Sequence, residues 1–160
     1  MRKKWAGVCL FLLAFSATGW AQQNPRMGTW KANYDKSSPP ATPGTTTPSY
    51  LVTREPYGKD GEKWTGDQVT AQGEKIHAAY SAEYDGKDYP VTGDPRRDTV
   101  SIKRVGANAL VQTYKKDGKV TAVNIQLPSR DGRTSYTLSR AVDASGQLAE
   151  IPNITVWDKQ

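Results

Sequence analysis

Hydrophobic positions recur with a period of two along most of this 160-residue chain, in short runs cut by turn chemistry. The clearest run is "EKIHAAYSAEY" (74–84). Ile76, Ala78, Tyr80, Ala82 and Tyr84 fall on one face, and Lys75, His77, Ala79, Ser81 and Glu83 on the other. Alanine and glutamate also suit a helix, but this alternation and the following Asp85-Gly86 favour a half-buried strand. "GTWKANY" (28–34) alternates in the same way, with Trp30, Ala32 and Tyr34 on one side. Further runs at 49–55, 63–71, 88–92, 98–105, 109–116, 119–127, 134–141 and 151–158 bring the predicted strands to ten. Gly66 within the third reads as a bulge or bend.

The connections decide the topology. Asp-Gly occurs at 60–61, 85–86, 117–118 and 131–132, and that dipeptide is a strong hairpin signal. Only "DKSSPPATPGTTTP" (35–48) reads as a long loop, because Pro39, Pro40, Pro43 and Pro48 remove donors and fix φ. Tight turns make consecutive strands antiparallel neighbours. A meander of this length closes to remove its edges. The expected fold is therefore all-β, an antiparallel up-and-down β-barrel of about ten strands in one domain, 28–160. No helix is long or amphipathic enough to cover a sheet face, so side chains or a ligand must fill the barrel.

The first residues follow another pattern. Arg2, Lys3 and Lys4 precede the apolar "WAGVCLFLLAF", and small residues stand at Gly19 and Ala21. This reads as a secretory signal peptide, 1–21, cleaved after Ala21, with 22–27 a short leader. The expected location is periplasmic or secreted, with no integral membrane segment after cleavage. The sole cysteine, Cys9, lies inside the signal, so the exported domain relies on its core and strand ladders without a disulfide.

Composition sharpens this picture. Both phenylalanines lie in the signal and aliphatic residues are sparse, so eight tyrosines and three of the five tryptophans carry much of the apolar area. Low hydrophobicity can signal disorder, but the charge balance after the signal is nearly even, which opposes it. These features suit a barrel with a partly polar interior. No basic run interleaves with a stacking surface, so nucleic acid is not an expected partner.

Candidate chemistry is limited. His77 is the only histidine and reads as exposed. The acidic group Glu83, Asp85, Asp88, Asp94 and Asp98 lacks the ligand spacing of a calcium loop and reads as turn chemistry. No catalytic residue, metal or cofactor is expected. Arg104 shares parity with Val100 and Ile102, and Arg140 with Tyr136 and Leu138. Together with Tyr80, Tyr84, Tyr114 and Tyr136, they form a candidate ligand-binding set of apolar walls with polar tips. The same tyrosines serve equally well as filling.

Gly28-Thr29-Trp30 is similar to the Gly-x-Trp opening of lipocalins and fatty-acid-binding proteins, and "TVWDKQ" (155–160) to the end of their last strand. With "YDGKDYPVTGD", "DTVSIKR" and "KKDGKV" in this order, the chain resembles a family of exported bacterial lipocalin-like proteins within the calycin superfamily. The resemblance implies a small barrel with Gly28, Trp30 and Trp157 as structural residues at its end, and Arg104 or Arg140 stacked on Trp30. Thr155 stands where fatty-acid-binding proteins carry a carboxylate-holding arginine, and the proline-rich loop stands where they carry a helical lid. The function expected is non-catalytic binding of a small apolar or amphipathic ligand by a monomer. The alternative is a structural or envelope interaction module with a filled barrel.

Overall fold

A computed structural model describes residues 24–38, 49–70, 72–143 and 145–160. The predicted signal peptide and the proline-rich stretch from residue 39 to 48 lie outside the described residues.

Ten strands follow one another: β1 (Gly28–Ser38), β2 (Ser49–Tyr57), β3 (Gly61–Val69), β4 (Lys75–Glu83) and β5 (Asp85–Thr92), then β6 (Thr99–Arg104), β7 (Leu110–Lys116), β8 (Lys119–Pro128), β9 (Thr134–Ala141) and β10 (Asn153–Lys159). Each pairs antiparallel with its sequence neighbours, and β1 pairs with β10 to close the barrel. Closure leaves no free edge, as the meander requires. The seam between β4 and β5 is the sparsest, with two residue pairs in register. Among the described residues no helix is long and apolar enough to cross a membrane.

Two local expectations are corrected. β1 does not stop at Tyr34 but runs to Ser38. The Ser37 hydroxyl donates to the Asn33 carbonyl and accepts from Val156 N–H, bridging the register shift between Asn33 and Ser38. Gly66 is not a bulge, because the Val52–Gly66–Ala78 register is unbroken. It makes room instead: a Cβ there would stand 2.4 Å from Cη2 of Trp64. That indole is stacked on Tyr80, with centroids 5.0 Å apart and planes 8° from parallel.

The interior divides into two sectors. β1–β7 bury Trp30, Val52, Trp64, Val100, Ile102 and Leu110. β8 and β9 reverse the usual polarity: Gln126, Ser135 and Thr137 are buried, whereas Ile125, Leu127 and Tyr136 are 38–41% exposed. The sparse aliphatic content is thus spent on one wall of the interior, and polar side chains form the other.

The end carrying the β2–β3, β6–β7 and β8–β9 turns is closed. Trp30 is fully buried there, and its Nε1–H donates to the Arg26 carbonyl at 3.0 Å. The Lys159 ammonium lies 5.3 Å from the Trp30 ring centroid. Gly28 adopts φ +114°, and a Cβ there would come within 2.9 Å of Lys159 Cε, so Gly-x-Trp admits this lysine. The expected arginine on Trp30 is corrected: Lys159 and the 24–27 segment close this end. Residues 24–27, within the predicted short leader, pack against the barrel: Arg26 is buried and its carbonyl holds Trp30.

Gly66→Ala should destabilise the barrel by about 1–3 kcal/mol, because it overpacks a locked indole. Gly106→Ala, where the new Cβ meets only ordinary contact at 3.5 Å, should stay within about 0.5 kcal/mol of wild type. Urea denaturation followed by tryptophan fluorescence measures both, and equal effects would refute this role for Gly66.

Candidate functional site: a cavity above a buried charge

Inward parity on β2 places Tyr50, Val52 and Arg54 in the barrel, and on β3 it places Glu62 and Trp64 there. Glu62 is fully buried and Arg26 and Arg54 are each 5% exposed. A buried carboxylate must be paired and hydrogen-bonded, and Glu62 is. Tyr80 donates to its Oε1 at 2.7 Å and Tyr84 to its Oε2 at 3.0 Å. Arg54 Nε lies 3.7 Å and Arg26 Nη2 4.0 Å from Oε2. The network continues upward: Gln112 Nε2 donates to Tyr80 at 2.8 Å, Gln126 Nε2 to Gln112 Oε1 at 2.7 Å, and Arg26 to Gln126.

Each proton position follows from this packing. Burial, then the Glu62 charge, pushes the Tyr80 and Tyr84 hydroxyls upward, so both stay protonated and donate to the carboxylate. Burial lowers the Arg26 guanidinium, an effect that Glu62 opposes.

Above this layer lies a cavity of about 300 Å³. Arg54, Gln112 and Gln126 form its floor. Val52, Trp64, Tyr114 and Trp157 form an apolar and aromatic wall, and Asn124, Thr137 and Ser139 form a polar one. Trp157 donates through Nε1 to Thr137 Oγ1 at 3.0 Å and meets Tyr50 edge-on, with centroids 5.1 Å apart. Burial pushes the Tyr50 hydroxyl up to about 12.

Arg96 and Arg97, from the β5–β6 connection, stand at the mouth. Asp94 holds both. Its Oδ1 accepts from Arg96 N and Nε at 2.9 Å each, and its Oδ2 from Arg96 Nη2 at 3.0 Å and Arg97 Nε at 2.7 Å. Burial alone would raise the Asp94 carboxyl, but the two arginines hold it at about 2. The Arg97 guanidinium sits 4.1 Å from the Tyr114 ring centroid, so the latch is braced on the cavity wall.

Of the six residues predicted to bind ligand, only Tyr114 lines the cavity. Tyr80 and Tyr84 lie beneath the floor on Glu62. Arg104 has the predicted inward parity but sits at the closed end. There it pairs with Asp60 at 2.6 Å and covers Tyr84 with its guanidinium 5.0 Å from the ring centroid. Tyr136 and Arg140 share a face as predicted, but it is the outer one. Tyr136 stands opposite Leu127, and Arg140 holds the Leu148 and Ala149 carbonyls. Trp157, expected as an end residue, is a wall of the cavity.

Sequence reasoning missed Arg26, Arg54, Trp64, Glu62, Gln112 and Gln126. Parity with Val52 was the available signal for Arg54, and parity with Trp64 for Glu62. His77 is exposed as expected, its Nδ1 2.7 Å from Asp67. Within the acidic group, Asp85, Asp88, Asp94 and Asp98 each face a lysine or arginine. Among the described residues no cluster of His, Cys, Asp or Glu has the arrangement of a metal site.

No family model, curated protein or solved structure matches the chain. The closed ten-strand antiparallel barrel is compatible with a calycin-like fold.

Glu62→Gln should cost about 3–5 kcal/mol in urea denaturation, because it leaves two buried guanidiniums without a counter-charge. A near-neutral effect would mean that the interior does not depend on this charge. Asp94 sets a separate acid dependence. Its folded carboxyl lies below the ordinary value near 3.8, so its contribution is complete above about pH 4 and is lost as pH falls through about 2. Asp94→Asn should therefore destabilise by about 1–2 kcal/mol at pH 7, with the difference from wild type closing towards pH 2 in thermal melts. A constant difference across that range would exclude the latch.

Proposed function

We propose that this protein is an exported, non-catalytic binding protein of the lipocalin-like kind, which carries a small, partly apolar molecule inside its barrel. The supporting observation is the unfilled cavity of about 300 Å³, with an aromatic wall facing a hydroxyl and amide wall and a mouth at one end. Such a site suits a small ligand that buries an apolar body and satisfies a few polar groups. No carboxylate lines it, and the buried Glu62 is already engaged by two tyrosines and two arginines, which favours binding over acid–base chemistry. The proposal includes export to the periplasm or medium, supported by the signal pattern of 1–21 in the sequence, and a monomer, supported by a barrel without a free strand edge.

A second reading, an envelope interaction module, is favoured by one observation. Ile125 pairs across the outer face with Leu138, and Leu127 with Tyr136; Ile125, Leu127 and Tyr136 are each well exposed. Such a row marks interaction surfaces when it is large enough.

Native mass spectrometry of the protein purified from its own envelope separates the readings. The binding reading expects a retained small molecule, or quenching of tryptophan emission by added aromatic probes, since Trp64 and Trp157 line the cavity. A barrel that is always empty, takes up no probe, and co-purifies with a protein partner would instead favour the interaction module.

A further inference from the structure

The cavity floor carries an unanswered charge. Arg54 is 5% exposed, yet its guanidinium makes no hydrogen bond to any described residue, and its Nε is a buried donor without an acceptor. Its nearest counter-charge is Glu62 Oε2 at 3.7 Å, beyond hydrogen-bond reach. Leaving such a donor set unmet is costly. The acceptors of the polar wall turn elsewhere: Thr137 Oγ1 takes the Trp157 indole N–H, Asn124 Oδ1 the Ser139 hydroxyl, and Gln112 Oε1 the Gln126 amide and the Tyr114 hydroxyl.

Charge counting agrees with the geometry. Within the buried layer two guanidiniums, Arg26 and Arg54, face one carboxylate, Glu62. One positive charge remains uncompensated, and Arg54 is the member of the pair that borders the cavity. At the mouth Arg96 and Arg97 share Asp94, which leaves a second, more solvated positive charge that draws anions inward.

We infer that the ligand is a monocarboxylate with a compact aromatic or apolar body, its carboxylate seated on Arg54 and its body between Trp64 and Tyr114. This rests on the binding reading above and specifies its ligand class. A planar carboxylate matches the guanidinium fork, and its single negative charge neutralises the buried layer. The cavity volume suits a body of one or two fused rings.

The test uses matched probes: 2-naphthoate against 2-naphthamide, and 4-phenylbutyrate against 4-phenylbutyramide, titrated by calorimetry at pH 7. Wild type should bind each acid at least about tenfold tighter than its amide, as one charge-assisted bidentate contact allows. Arg54→Gln should abolish that preference while still binding the amides, and Arg97→Gln at the mouth should keep most of it. If Arg54→Gln does not fold, the pH dependence of wild-type affinity substitutes. Naphthoate binding should weaken once the probe is protonated, and naphthamide binding should not change. Amides binding as tightly as acids would overturn the inference and leave the binding reading intact. Loss of preference in Arg97→Gln but not in Arg54→Gln would overturn the assignment to Arg54. No binding of any probe would count against both.

Discussion

The structure depends on how a carboxylate is paired and hydrogen-bonded inside a β-barrel. Glu62 has no access to water, and a lone carboxylate there would be prohibitively costly. Two tyrosine hydroxyls and two guanidiniums surround it, drawn from β2, β4, the β4–β5 turn and the segment before β1. Those partners fix which residues must point inward on neighbouring strands. They also explain why residues 24–27, which have no strand of their own, belong to the domain. Arg26 serves at once as counter-charge, as donor to Gln126 and, through its backbone carbonyl, as acceptor for Trp30.

The remaining architecture follows from that layer. Glutamines 112 and 126 extend the hydrogen-bonded floor towards the polar sector of β8 and β9. Trp64 lies over Tyr80 in the space that Gly66 leaves, which ties the aromatic wall to the same tyrosine that holds Glu62. Above the floor the cavity stays open between the aromatic and polar walls. Buried ion clusters are weak sources of net stability; here the cluster positions Arg54 beneath an open space, and its net charge is what the space can use.

Much of the fold was legible in the sequence, and less of the site. The alternation of 74–84 and the recurrent Asp-Gly turns gave ten strands, antiparallel order and closure, because a period of two and hairpin chemistry are local properties. Which face points inward is not local. Tyr136 and Leu138 look like interior residues by hydropathy, yet they lie outside, because the alternate face carries Thr137 to the Trp157 indole and Ser139 to Asn124 inside the barrel. Arg104 was placed on the correct face but at the wrong depth, since Asp60, 44 residues away, captures it. Glu62 and Arg26 were hidden in segments that read as a turn and a leader. Their role emerges only when the barrel closes and brings them together.

The central claim is that the interior holds an open space with Arg54 as its unmatched donor. A crystal structure of the wild-type protein, purified without added ligand, tests this most directly. The account predicts an open cavity beside Trp64 and Trp157, with solvent or ligand density against the Arg54 guanidinium. A cavity filled by protein side chains, with every Arg54 donor satisfied by protein acceptors, would contradict it.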